Sequence, residues 1–170
     1  PPGTAPLHYG LTKILVGLVF TLGLILVVIA GAELFTGKNL MIMALLDRKI
    51  GWKGMLRNWL IVYAANFLGS LLIVLLVILS GHYLSASGGV GLTMLQVGSS
   101  KTALGFSQAL FLGVLCNLLV CLAVWMSIGA RTAVGKVAVI VPPIAAFVAA
   151  GFEHVVANMY FVPAALLVKA

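Results

Sequence analysis

A chain of 170 residues that is 63% hydrophobic and 8% charged, with mean hydropathy +1.24, cannot cover its apolar residues with a water-facing surface. Soluble domains carry about 25% charged residues, so the composition excludes that class and makes the bilayer the solvent. The net charge of +7 does not make a nucleic-acid surface, because most bases fall in short connections between apolar stretches, where they report topology instead.

The opening Pro1-Pro2-Gly3-Thr4 reads as a connecting loop. The first apolar stretch runs from Thr12 to Ala30 and resumes at Leu40, giving an interrupted span over about 12–47. The connection after it holds Arg48, Lys49, Lys53 and Arg57. A second, unbroken span covers about 56–80. Residues Ser80 to Ser100 are rich in Gly and Ser and predict a loop, with Lys101 at its end and at the start of the next span. A third span follows over about 105–128, then a connection with Arg131 and Lys136, then a fourth span over about 134–168, again interrupted. Membrane β-strands would alternate over segments of about ten residues, and no such alternation is present. The predicted fold is an all-α integral membrane domain over 1–170. The basic connections at 47–57 and 129–136 belong on the cytoplasmic side of a multi-pass inner (plasma) membrane protein.

The two interruptions resemble each other. The first reads Ala30-Gly31-Ala32-Glu33-Leu34-Phe35-Thr36-Gly37-Lys38-Asn39-Leu40-Met41, the second Ala150-Gly151-Phe152-Glu153-His154-Val155-Val156-Ala157-Asn158-Met159. Both carry Ala-Gly-x-Glu, three residues, a small residue and an Asn followed closely by Met, the first copy being one residue longer after its small residue. Copies in segments of opposite direction imply an inverted repeat of broken helices meeting near the midplane, the arrangement that builds many transporter sites. Complete copies need three spans each, so four of six expected spans are present, and the first and last are expected to be missing.

Ionisable residues at membrane depth are costly and are functional candidates by default. For Glu33 and Glu153 the structural reading is the stronger: each sits where a helix breaks and offers an acceptor to freed backbone amides. His154 has Leu34 as its counterpart, so the fold does not demand a histidine there; it reads as a proton-exchanging or anion-contacting group. Thr36, in the opposite loop, supplies a hydroxyl able to reach the same point. Lys38 reads as a snorkelling side chain. Lys101 is either an interfacial anchor or a cation that concentrates anions at the outer mouth. Asn117, in mid-span, is either interhelical glue or pore-lining. Cys116 and Cys121 lie off one another's helix face and read as buried thiols. No metal-ligand, nucleotide-binding or nucleophile pattern occurs, so neither a cofactor nor an enzyme is expected.

Four stretches together resemble the formate/nitrite transporter family: residues 30–37, Asn58 to Tyr63 with Asn66 to Ser70, Cys116 to Ser127, and Gly151 to Met159. The resemblance covers nearly the whole chain. It implies an aquaporin-like arrangement of six helices, one pore per subunit and a homopentamer in the lipid bilayer. It also implies that His154, Thr36, Lys101 and Asn117 contact the permeant, and that Phe20, Leu24, Leu34, Phe35, Val120 and Phe147 form apolar constrictions. Lys38 departs from the small or polar residue common in the family after Phe-Thr-Gly. The expected activity is permeation of a small weak-acid anion, formate first, with proton transfer at His154. Nitrite, hydrosulfide or a short carboxylate, an aquaporin-like neutral-solute pore, and a non-conducting scaffold are the alternatives.

Overall fold

The computed structural model describes residues 8–169, so the opening Pro-Pro-Gly-Thr loop lies outside the described residues. Seven α-helices are described: α1 Tyr9–Ala30, α2 Met41–Leu46, α3 Trp52–Leu79, α4 Gly89–Thr102, α5 Phe106–Gly129, α6 Ala133–Ala150 and α7 Val155–Lys169. A 3-10 turn, Gly37–Leu40, leads into α2, and another covers His82–Leu84. Four helices, α1, α3, α5 and α6, are long and apolar enough to cross a membrane. At 1.5 Å per residue, the 28 residues of α3 reach roughly 42 Å, more than the ~30 Å hydrocarbon core. The helix begins at Trp52, ahead of the position 56 expected from hydropathy, so its basic first turns extend beyond the apolar stretch.

The chain divides into two compact units, Pro1–Glu33 with Val114–Phe152, and Leu34–Gly113 with Glu153–Ala170. In the first unit α1 packs against α6. The approach is close because Gly17 has no side chain: a Cβ there would stand 2.7 Å from the carbonyl oxygen of Ala145. Phe20 and Phe147 meet edge to face, with ring centroids 5.6 Å apart, the arrangement favoured by the ring quadrupoles. Leu24, Val120 and Phe147 are buried.

Both helix interruptions predicted from the repeated motif are present, and α1 and α6 end alike. Gly31 (φ 74°, ψ 26°) and Gly151 (φ 77°, ψ 26°) are left-handed, a conformation that glycine adopts without steric cost. One residue on, the Ala32 amide donates to the Val27 carbonyl and the Phe152 amide to the Phe147 carbonyl. These are the six-to-one bonds of a Schellman ending, which satisfy carbonyls that a stopped helix leaves open. The paired Ala-Gly in the sequence is this cap, written twice.

In the second unit α7 packs on α4 and on α3. Here the sequence expectation needs correction. The Gly- and Ser-rich stretch 80–100 is not a loop: most of it is α4, and Lys101 lies in the last turn of that helix rather than at the start of the next span. The glycines serve close packing. A Cβ on Gly91 would stand 3.0 Å from the Tyr83 carbonyl oxygen, and one on Gly98 would overlap the Ala165 methyl group. Small residues at such crossings let helix backbones approach each other. The second break is also shorter than the motif suggests, because α7 resumes at Val155.

Gly98→Val should therefore destabilise the protein by about 2 kcal/mol, as expected for overpacking, seen as a lower thermal unfolding midpoint in detergent. An unchanged midpoint would mean that α4 and α7 do not need this close approach.

Candidate functional site

The second unit takes up the chain within each interruption, from Leu34 and from Glu153, and it brings polar side chains of the two stretches together. His154 stands immediately before α7. Its carbonyl accepts from the Asn158 amide at 3.0 Å, and its ring Nδ1 accepts from the Ala157 amide at 3.1 Å. The side chain thus caps the third residue of α7, the place where an N-cap acceptor belongs. On the other side of the ring, Nε2 lies 3.1 Å from Oγ1 of Thr36. Thr36 and His154 are 4% and 8% exposed, so this contact is formed away from solvent.

The two ring contacts together assign the tautomer. Nδ1 uses its lone pair for the Ala157 amide, so in the neutral ring the proton sits on Nε2. Nε2–H then donates to the Thr36 oxygen. The site presents donors, in keeping with the partial positive charge at the start of α7.

Glu153, one residue earlier, takes part in a second polar group. Its Oε1 accepts from Lys101 Nζ at 2.6 Å, and its Oε2 accepts from Asn158 Nδ2 at 2.9 Å. The Lys101 and Glu153 side chains are 21% and 9% exposed. A carboxylate so far out of water needs such partners. The positive charge of Lys101 is accordingly offset by a direct ion pair. Glu33, the counterpart in the first copy, is exposed in the irregular segment that follows α1.

The loop that carries Thr36 is held by α3. The Phe35 amide donates to Asn66 Oδ1 at 3.0 Å, and Trp59 Nε1 donates to the Lys38 carbonyl at 3.0 Å. The Phe35 ring also meets Tyr63 and Trp59 edge to face, at 5.1 and 6.3 Å between centroids. Leu34 and Phe35 are half-buried beside Thr36.

Of the residues singled out by sequence, Thr36, His154, Lys101, Glu153, Leu34 and Phe35 share this unit. Phe20, Leu24, Val120, Phe147, Glu33 and Asn117 belong to the other. The Asn117 side chain bonds within its own helix: Nδ2 donates to Cys121 Sγ, 3.6 Å away. The sequence reading overlooked Asn158 and Asn66 as side-chain partners. Asn158 was visible as the asparagine common to both motif copies, and Asn66 as the last of three residues, 59, 63 and 66, on one face of α3. Among the described residues, no group of three or more His, Cys, Asp or Glu side chains is placed to hold a metal ion.

The family model described as formate/nitrite transporter matches residues 2–170. The chain belongs to the formate/nitrite transporter family. Within it, the formate channel FocA of Escherichia coli (strain K12) is 45% identical over 98% of this chain and 59% of its own length. The formate channel FocA of Haemophilus influenzae is 45% identical over 94% of this chain and 56% of its own. A probable formate transporter of Methanothermobacter thermautotrophicus is 39% identical over 91% and 61%. A solved pentameric formate channel with formate bound superposes with a TM-score of 0.88 at 43% identity, covering 98% of this chain and 66% of that one. An ion channel of the same family gives 0.78 at 31%, covering 90% and 67%. The chain thus spans about three-fifths of the length of the curated relatives. It is an all-α, multi-pass membrane protein with two interrupted helices.

Lys101→Ala should act first on stability. It leaves the buried Glu153 carboxylate without its cation, a loss of about 3 kcal/mol or more. Adding Glu153→Gln should recover most of the lost thermal stability. If Lys101→Ala alone is as stable as the parent protein, the ion pair does not hold this loop.

Proposed function

We propose that this chain forms the central part of a membrane channel for small monovalent weak-acid anions, with formate the first substrate and a homopentamer the working assembly. It transports and does not catalyse. The 47–57 and 129–136 connections, with their Arg and Lys residues, face the cytoplasm across the inner membrane. The observation that carries the reading is the Thr36–His154 contact, a buried hydrogen-bonded pair contributed by the two interrupted segments. Its support from relatives is specific: several are named formate channels, and one solved relative is a pentamer with formate bound.

An anion entering apolar surroundings loses its hydration, which makes a bare charge at membrane depth costly. Two features lower that cost here. Nε2–H of His154, on turning from the Thr36 oxygen to the anion, replaces part of the lost water with a fixed donor. Addition of a proton to a carboxylate oxygen removes the charge altogether, and this favours weak acids over strong-acid anions of similar size. The ring contacts support a different part for His154 from proton transfer. An imidazolium needs a proton on Nδ1, where the Ala157 amide already points, so charging the ring breaks the cap of α7. His154 acts as a neutral donor that binds and orients the anion, and the proton reaches the carboxylate from water.

The apolar residues fit this scheme as constrictions. Phe20 and Phe147 with Leu24 and Val120 supply one set, and Leu34 with Phe35 the other. Each excludes hydrated ions and passes a neutral or partly desolvated acid.

Formate flux into liposomes containing the full-length protein tests the proposal. His154→Phe keeps an apolar ring and removes both the donor and the cap, and it should lower formate flux by about 10- to 100-fold, the range expected for losing a hydrogen bond to an ion. His154→Asn, which retains an amide donor and a capping acceptor, should keep most of the flux. A folded, assembled His154→Phe variant that carries formate at the parental rate would overturn the assignment.

A further inference from the structure

Thr36 lies between two anchors on the same helix. The residue before it, Phe35, is tied to α3 through Asn66, which accepts its amide at 3.0 Å. Two residues after it, the Lys38 carbonyl is tied to α3 through Trp59 Nε1, also at 3.0 Å. Between these points only Thr36 and Gly37 are left, and the Phe35 ring is wedged against Tyr63 and Trp59. Residues 59, 63 and 66 are spaced by four and three positions, so they form one stripe along α3. Nothing in the chemistry of an apolar membrane helix calls for a half-buried amide acceptor and an indole donor facing one loop. Their partners are backbone groups that the interrupted helix leaves open. Each such bond fixes a backbone position and leaves the neighbouring side chain free to be aimed.

We propose that Asn66 and Trp59 are positioning residues for permeation: as a two-point clamp on Phe35 and Lys38, they hold the Thr36 hydroxyl at Nε2 of His154. The inference rests on the formate-channel reading given above. The two anchors differ in reach. Asn66 fixes the peptide directly before Thr36 and therefore governs its hydroxyl most strongly. Trp59 fixes the far end of the turn, where Gly37 leaves some slack, and its loss is felt less. The permeant touches Thr36 and His154; it does not need to touch either clamp residue. Substrate preference should then depend on residues of α3 whose side chains are turned towards the loop backbone.

The test is a double-mutant cycle in liposomes with the full-length protein. Asn66→Leu keeps the shape and removes the acceptor; Asn66→Asp keeps an acceptor oxygen; Trp59→Phe keeps the ring contact and removes the N–H donor; Thr36→Val removes the hydroxyl being positioned. Formate flux per assembled channel is measured alongside flux of a strong-acid anion such as nitrate. Asn66→Leu should lower formate flux about tenfold, in line with loss of one well-placed hydrogen bond, while Asn66→Asp restores much of it and Trp59→Phe has a smaller effect. Asn66→Leu combined with Thr36→Val should be no slower than Thr36→Val alone, because the clamp acts through that hydroxyl. Fully additive losses would overturn the proposal, as would flux per channel unchanged in Asn66→Leu. Should Asn66→Leu fail to assemble, the Trp59→Phe and Thr36→Val cycle reads the same coupling, and additivity there is equally decisive. A parental protein that carries no formate would instead defeat the channel reading on which the proposal stands.

Discussion

A helix that stops inside a membrane leaves backbone amides and carbonyls that lipid cannot satisfy, and this chain contains two such stops. Each is closed on one side by a left-handed glycine, Gly31 or Gly151, whose ending returns amides to the carbonyls of the helix just finished. On the other side the solutions diverge. The second loop restarts a helix at once with His154 as its cap, while the first is carried on a 3-10 turn pinned to α3 by Asn66 and Trp59. These local repairs leave Thr36 and His154 pointing at each other.

The histidine illustrates how a structural bond sets a chemical role. Because the Ala157 amide occupies Nδ1, the ring is held in one tautomer and offers its Nε2 proton towards Thr36. A free histidine in a narrow passage suggests a titrating group. A histidine that caps a helix is better suited to act as a fixed donor, since charging it costs a backbone bond. Glu153 follows a similar logic. Its two oxygens are used by Lys101 and Asn158, which ties α4 to the beginning of α7 and spends the lysine charge inside the protein.

Much of this was legible in the sequence because it is local. The repeated Ala-Gly-x-Glu announces both helix ends, and the absence of a histidine at Leu34 sets His154 apart from its own repeat. The meeting of Thr36 and His154 followed from the inverted copies. What was not legible depends on partners distant in the chain. Glycines in 80–100 read as loop because glycine weakens an isolated helix, yet Gly91 and Gly98 are there to admit Tyr83 and Ala165. Lys101 read as a solitary cation because its partner is 52 positions away. The stripe on α3 was visible as a pattern, but only the fold shows that it faces the first loop.

The central claim is that His154 is a capped, neutral donor aimed at Thr36. Nitrogen NMR of the full-length protein with labelled histidine rings, in lipid at neutral pH, tests it directly, using His154→Asn to assign the signal. The account predicts a protonated Nε2 and an unprotonated, hydrogen-bonded Nδ1. A ring protonated at Nδ1, whether as the other tautomer or as imidazolium, would contradict it.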